Sequence, residues 1–109
     1  MIREERASDD GTYRWVLIRD QLPIEGAAKG ALVVWILLNP SRANQIKDDP
    51  TAHRVIDFST RWGYPRTEIV NLFGFRSPAP HLVPRDYAAA VGPMNDYHIA
   101  DALRRADLV

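Results

Sequence analysis

The chain has 109 residues, enough for one domain with a single core. Lys plus Arg and Asp plus Glu number 14 each, so no global field draws it toward nucleic acid or a membrane surface. It contains no cysteine, which excludes disulfides and thiolate metal sites, and its longest apolar run is far too short to span a bilayer.

In chain order, Met1 to Asp10 is charged and carries no apolar signal region, so a cytoplasmic protein with no membrane partner is expected. Tyr13 to Arg19 alternates apolar and charged residues, with Trp15 and Leu17 set against Arg14 and Arg19. That period of two predicts a half-exposed edge strand. Gln21 to Gly30 reads as a loop broken by Pro23, Gly26 and Gly30. Ala31 to Leu38 is unbroken apolar sequence with the length and Val/Ile/Trp content of a strand buried on both faces. It predicts a central strand over Leu32 to Leu38, ending at Asn39-Pro40-Ser41.

Asp49 then reads as an N-cap with Pro50 at the first helical position. The helix is predicted to run to about Trp62, with Val55, Phe58, Ser59 and Trp62 on one face and Gly63 as its stop. Glu68 to Leu72 predicts a second buried strand. Phe73 to Gly92 reads as a long proline-marked loop, a length more often functional than accidental. Pro93 starts another helix, with Ile99, Leu103 and Ala106 spaced for one buried face. Asp107-Leu108-Val109 reads as the first residues of a third parallel strand.

The pattern predicts an α/β fold: a small three-layer sandwich with a mainly parallel sheet and an N-terminal edge strand, one domain over residues 1–109, truncated at the C-terminus. So short a third strand leaves sheet edge uncovered, and open edges recruit other chains. A homo-oligomer is therefore expected, with Leu103, Leu108 and Val109 at the contact.

In open parallel sheets ligands bind at the carboxyl ends of strands, which places chemistry at Asn39 and Ser41. The Asn39 amide offers both a donor and an acceptor, to hold a water or read a ligand, or else it closes an Asx-turn. Ser41 can bond a phosphate or cap the next turn; no histidine lies nearby in sequence to make it a nucleophile. Asp49 has its capping duty. Asp48 has none and could orient a water, while two carboxylates without clustered histidines make a weak metal signal, so no metal or cofactor is expected.

Asn71 is a second amide at a strand end, and neighbouring parallel strands would place it on the same rim as Asn39. Phe73 and Phe75 could stack on a flat ring, or roof the core. Arg76 could clamp a phosphate. Asn95 and Asp96 open the last helix as ligand contacts, or as cap and first-turn acid. Trp15, Trp35 and Trp62 read as core. From Arg42 to Arg76 cations exceed acids by two, six against four, which suits an anionic ligand and ordinary surface charge alike.

The succession LNPS, DDPT, a helix ending WGY, VNLFGFR, a proline-rich loop and GPMND, opened by YRWVLIR, resembles a bacterial domain family of unknown function over nearly the whole chain. That family usually continues through a strand ending in Trp-Gly and a late His-Pro segment, which this sequence lacks. More distantly, strand-Asn-Pro-small followed by strand-Asn-Leu and an Arg is similar to the mismatch-specific branch of the uracil-DNA glycosylase superfamily. The resemblance implies that Asn39 positions a hydrolytic water and that Asn71 to Arg76 forms part of the site. The glycines flanking that superfamily's Asn-Pro are replaced here by Leu38 and Ser41, and its DNA-wedging loop has no counterpart.

Two functions follow. One is binding of a nucleobase or nucleotide, with hydrolysis of an N-glycosidic bond: Asn39 and Asp48 as the catalytic residues, Ser41, Asn71, Phe73, Arg76, Asn95 and Asp96 as ligand contacts. Whether nucleic acid is touched is left open. The other is a binding or assembly module that keeps the fold without the chemistry. Fold alone does not choose between them.

Overall fold

The computed structural model describes residues 2–21, 30–40, 43–77 and 80–109. Ser41 and most of the predicted 21–30 loop lie outside them. Four strands form one sheet: β1 (Ile2–Ala7), β2 (Arg14–Asp20), β3 (Leu32–Leu37) and β4 (Arg66–Asn71). Three helices accompany them: α1 (Pro50–Arg61), α2 (Tyr87–Val91) and α3 (Asn95–Arg105), with a 3-10 turn at Pro80–Leu82. The strand order is β1-β2-β4-β3.

This corrects the expected three-layer sandwich with a mainly parallel sheet. The sheet is mixed: β1–β2 and β2–β4 are antiparallel, and only β3–β4 is parallel. For the β1–β2 pair the physical reason lies at the N-terminus. Ile2–Ala7 is so charged that it reads as a solvated tail, yet it pairs along β2 through a tight turn in which Ser8 and Asp10 bond each other and Gly11 adopts a φ of 77°. A short turn can join only antiparallel strands. Charged side chains are also what a sheet's outer strand carries to deter further pairing.

The predicted edge strand is therefore interior. β2 lies between β1 and β4, and all of Arg14 to Arg19 is buried, both arginines included. The predicted central strand, β3, lies at the outer side of the sheet. Past it, Leu108 makes a single parallel bridge to Val33, with Val34 N–H donating to Leu108 O at 2.8 Å. The third parallel strand thus amounts to one bridge.

The two faces carry separate apolar clusters. Leu17, Ile69, Ala52 and Val55 pack on the α1 face with Ala43, joined by Trp35 and Leu37. Trp15, Val16, Ile18, Val34, Val70 and Ala102 pack on the α3 face. β2 feeds both by alternation, Leu17 on one face and Val16 and Ile18 on the other, and a bulge re-aims its start. Arg6 pairs with Val16 and Ala7 with Arg14, so Trp15 is the extra residue. Without the bulge, Arg14 would share the face of Val16 and Ile18. With it, Arg14 turns to the face of Leu17 and donates from Nη1 to the Ala43 carbonyl at 2.9 Å.

α1 forms as its sequence dictates. Pro50 stands in its first turn, the Asp49 carboxylate accepts from Ala52 N–H at 2.8 Å, and Gly63, at φ 85°, follows the C-cap Trp62. Its buried residues are Ala52, Val55, Ile56 and Ser59; Phe58 and Trp62 are half exposed, contrary to the predicted face. Trp62 instead stacks on Trp35, ring centroids 5.6 Å apart, while the Trp35 Nε1–H donates to Ser59 Oγ at 2.9 Å. On α3 the buried positions are Asn95 and Ala102, with Ile99 and Ala106 packed beside them; Leu103 is exposed. Among the described residues no helix is long and apolar enough to cross a membrane.

Candidate ligand site

One rim of the sheet gathers chain segments from distant positions. β3 and β4 are parallel and Leu37 stands in register with Asn71, so Asn39 and Asn71 lie at the same end. β2 is antiparallel to β4, which brings its first residue, Arg14, to that end; Arg14 N–H donates to Gly74 O at 3.0 Å. The N-terminus of α1 approaches the rim from one face of the sheet. The N-terminus of α3 is fastened there by Asn95, whose Nδ2 donates to the carbonyls of Asn71 and Leu72 at 2.8 and 3.1 Å.

Between the rim and α1 lies a cavity of about 280 Å³, lined among others by Arg14, Leu37, Asn39, Asp49, Thr51 and Ser77. Arg14 is only 3% exposed and its Nε–H has no partner. Burial pushes its basicity down to about 10; the Asp49 charge opposes the shift, and the like charge of Arg19 adds to it. The Asp49 carboxylate faces backbone: it accepts from Ala52 N–H at 2.8 Å and from Ala43 N–H at 3.2 Å. Asn71 shares the α1 face with Ile69, which also lines the cavity, since side chains two apart on a strand point the same way. It has no solvent exposure, and neither Oδ1 nor Nδ2 has a partner. Buried polar atoms are nearly always bonded, so a fully buried amide with both ends open is an exception that calls for a reason.

A second cavity, of about 290 Å³, adjoins the first through Leu38 and Asn39. Phe73 and Tyr87 meet edge to face there, with centroids 6.3 Å apart, and Arg85 lines it.

The structure does not bring all the sequence-predicted residues together. Asn39 stands in the wall between the two cavities, where its Nδ2 donates to Pro40 O and Ser77 O at 3.1 and 3.2 Å. Asn71 is fully buried and lines neither cavity, and Phe73 lines the second. Ser41 is outside the described residues. Asp48 faces another cleft, bonded by the buried Arg19 at 2.9 Å and paired with Arg3 at 3.2 Å. Arg76 pairs with Glu5 of β1 and lines neither cavity. Asn95 is a buried fastener of α3, and Asp96 is exposed in that helix's first turn.

Sequence reasoning missed Arg14 as a site residue, because a charge in an alternating strand reads as solvent-facing. The only available signal was the aromatic pair around it, Tyr13 and Trp15, and the bulge that re-aims it has no sequence signature of its own. Ser77 was missed as well; it enters through Ser77 N–H, which donates to Pro40 O at 3.1 Å and closes the rim. The described residues hold no group of three or more His, Cys, Asp or Glu side chains able to hold a metal ion.

Fold and site together define a small mixed α/β domain with a buried arginine and an open buried amide at one end of its sheet. Residues 14–109 match the family described as Protein of unknown function (DUF1643), and the chain belongs to that family. This agrees with the resemblance to a domain family of unknown function read from the sequence. Neither the curated proteins nor the solved structures contain a match to the chain.

Proposed function

We propose that this protein binds a nucleobase or nucleotide in the cavity between the sheet rim and α1, and that it binds without hydrolysing. The observation that carries this reading is Arg14: a buried guanidinium with an open Nε–H in the wall of that cavity, with the unpartnered, fully buried Asn71 amide two residues along β4 from Ile69 of the same wall. An amide supplies a donor and an acceptor side by side, the pairing that a nucleobase edge presents. The distant likeness to the uracil-DNA glycosylase superfamily supports the same ligand class.

Binding is favoured over catalysis because the nearby carboxylates have structural duties. Asp48 is tied to Arg19 and Arg3, and Asp49 caps α1 and holds Ala43. Both protons of the Asn39 amide go to backbone carbonyls. A general base must stand within hydrogen-bond reach of its water, and these groups are already engaged.

A thermal-shift screen of bases, nucleosides and nucleotides tests the reading, with Asn71→Leu as the control. The wild type should gain stability from at least one of these compounds as its concentration rises. Asn71→Leu should fold at least as stably, since an unpartnered buried amide is replaced by an apolar side chain of similar size, and should lose the gain. No shift with any compound overturns the reading.

A further inference from the structure

We propose that the ligand carries an anionic group, a phosphate or a carboxylate, received by the Arg14 guanidinium and the first turn of α1 at Thr51. This rests on the nucleotide reading above and narrows it from the base to the charged part of the molecule.

A buried donor without an acceptor is the starting point. A buried guanidinium is costly unless acceptors satisfy it. The other buried arginine on this face, Arg19, meets that requirement in full: its Nε donates to Asp48 at 2.9 Å, Nη1 to the Ile18 carbonyl at 3.0 Å and Nη2 to the Asn44 carbonyl. Arg14 does not. Its Nη1 is held from behind by Ala43 O, and its Nε–H is open. Asp49 is the one carboxylate among the described residues lining the cavity, and it is turned toward the N–H groups of Ala43 and Ala52. The lowered basicity of Arg14 agrees with incomplete compensation.

The second element is α1. It has 12 residues and no acid in its first turn. Asp49 takes the Ala52 N–H, and Thr51, exposed and lining the cavity, stands one residue earlier at the positive end of the helix. An anion entering the cavity thus meets a fixed guanidinium on the sheet side and a helix N-terminus on the other. Arginine suits both phosphate and carboxylate because its planar fork matches two oxygens at once. Arg76, the cation that the sequence put forward for this duty, is paired with Glu5 and lines neither cavity.

The test compares uridine, adenosine and guanosine with their 5′-monophosphates, and with inorganic phosphate and acetate, on the wild-type chain at low salt. The expected result is that a monophosphate binds about tenfold or more tightly than its nucleoside, that the advantage shrinks as salt is added, and that inorganic phosphate competes. If acetate competes and phosphate does not, the anion site stands as a carboxylate site. Arg14→Lys keeps the charge but loses the fork, and should bind the monophosphate more weakly; should that variant fail to fold, the wild-type ratio decides alone. Equal binding of nucleoside and monophosphate overturns the anion site while leaving the nucleobase reading intact. Binding of inorganic phosphate as strong as that of any nucleotide keeps the anion site and removes the base. Binding of none of these compounds overturns both.

Discussion

Arg105, in the last turn of α3, grips Glu68 of β4 with two hydrogen bonds of 2.7 and 2.9 Å, although Glu68 is entirely buried and Arg105 half exposed. Arg66 approaches the same carboxylate at 3.3 Å. This fork locks α3 to the sheet, and Asp101 steadies the guanidinium from the preceding turn of the helix. α3 covers the cluster containing Trp15 and Val70, so the fork guards one half of the core.

Removing Arg105 should therefore be expensive. Arg105→Ala leaves a buried carboxylate with Arg66 alone, and a loss of roughly 2–4 kcal/mol is expected, reduced from the fully buried case because Arg105 is partly in water. Chemical denaturation of wild type and variant measures it. The double variant Arg105→Met with Glu68→Leu should recover much of the loss; if it is less stable than Arg105→Ala, the accounting is wrong.

The same pair sets an acid limit. Burial alone would raise the Glu68 carboxyl, but the Arg105 bonds and charge, backed by Arg66, hold it below its ordinary value of 4.5. The unfolded chain then takes up the proton first as pH falls. Glu68 gives its full contribution above 4.5 and loses it as pH drops through the lowered folded value. His98 acts in the same direction. Burial and Arg6 lower it from 6.5 against the pull of Asp101, while its ring lies flat over Trp15 at 5.9 Å. Melting temperature should decline in two stages, below about 6.5 and again below about 4.5. His98→Gln should remove the first stage alone.

Arg19→Met should cost at least about 3 kcal/mol, since it strands Asp48 and frees the turn at Asn44–Lys47 that the guanidinium holds. Hydrogen exchange should show faster opening across residues 43–48. A variant no less stable than wild type would mean that Arg3 alone can hold Asp48.

Asn39→Ala should lose about 1–2 kcal/mol through its two bonds to Pro40 O and Ser77 O. It should also lower any ligand affinity, because this side chain forms the wall between the two cavities. Unchanged binding in a folded variant would remove Asn39 from the site.

Gly74 admits no side chain. A Cβ there would stand 2.7 Å from Val91 O and 2.9 Å from Trp15 Cζ3, so backbone would have to move. Gly74→Ala should cost roughly 1–3 kcal/mol, read from the urea midpoint. Tolerance of the change would mean that α2 shifts freely against the rim.

Ile36, Leu38, Trp62 and Val109 are exposed along the outer side of β3, around a groove of about 350 Å³ that most of them line. We propose that the self-association expected through Leu103, Leu108 and Val109 uses this face, which Leu108 and Val109 line and Leu103 does not; light scattering at low micromolar concentration reads it. Adding a charge with Ile36→Lys should give a monomer; a wild type that is monomeric under these conditions removes the expectation.

Several features were legible in the sequence because they depend on neighbours along the chain. Asp49-Pro50 set the start of α1 and Gly63 its end through local capping geometry. The apolar runs gave β3 and β4, and their parallel pairing followed from the helix between them. That much placed Asn39 and Asn71 at one rim. Tertiary structure alone decided the rest. Ile2–Ala7 is a strand only because β2 offers it an edge, and that pairing together with the antiparallel β2–β4 pair makes the sheet mixed where a mainly parallel one was expected. Arg14 and Arg19 look like surface residues because a charge in sequence implies water, yet each is buried where carbonyls or a carboxylate from residues 43–49 replace that water. The bulge at Trp15 that aims Arg14 at the cavity arises from pairing between two strands. Neither strand carries it alone, so no reading of one segment could have found it.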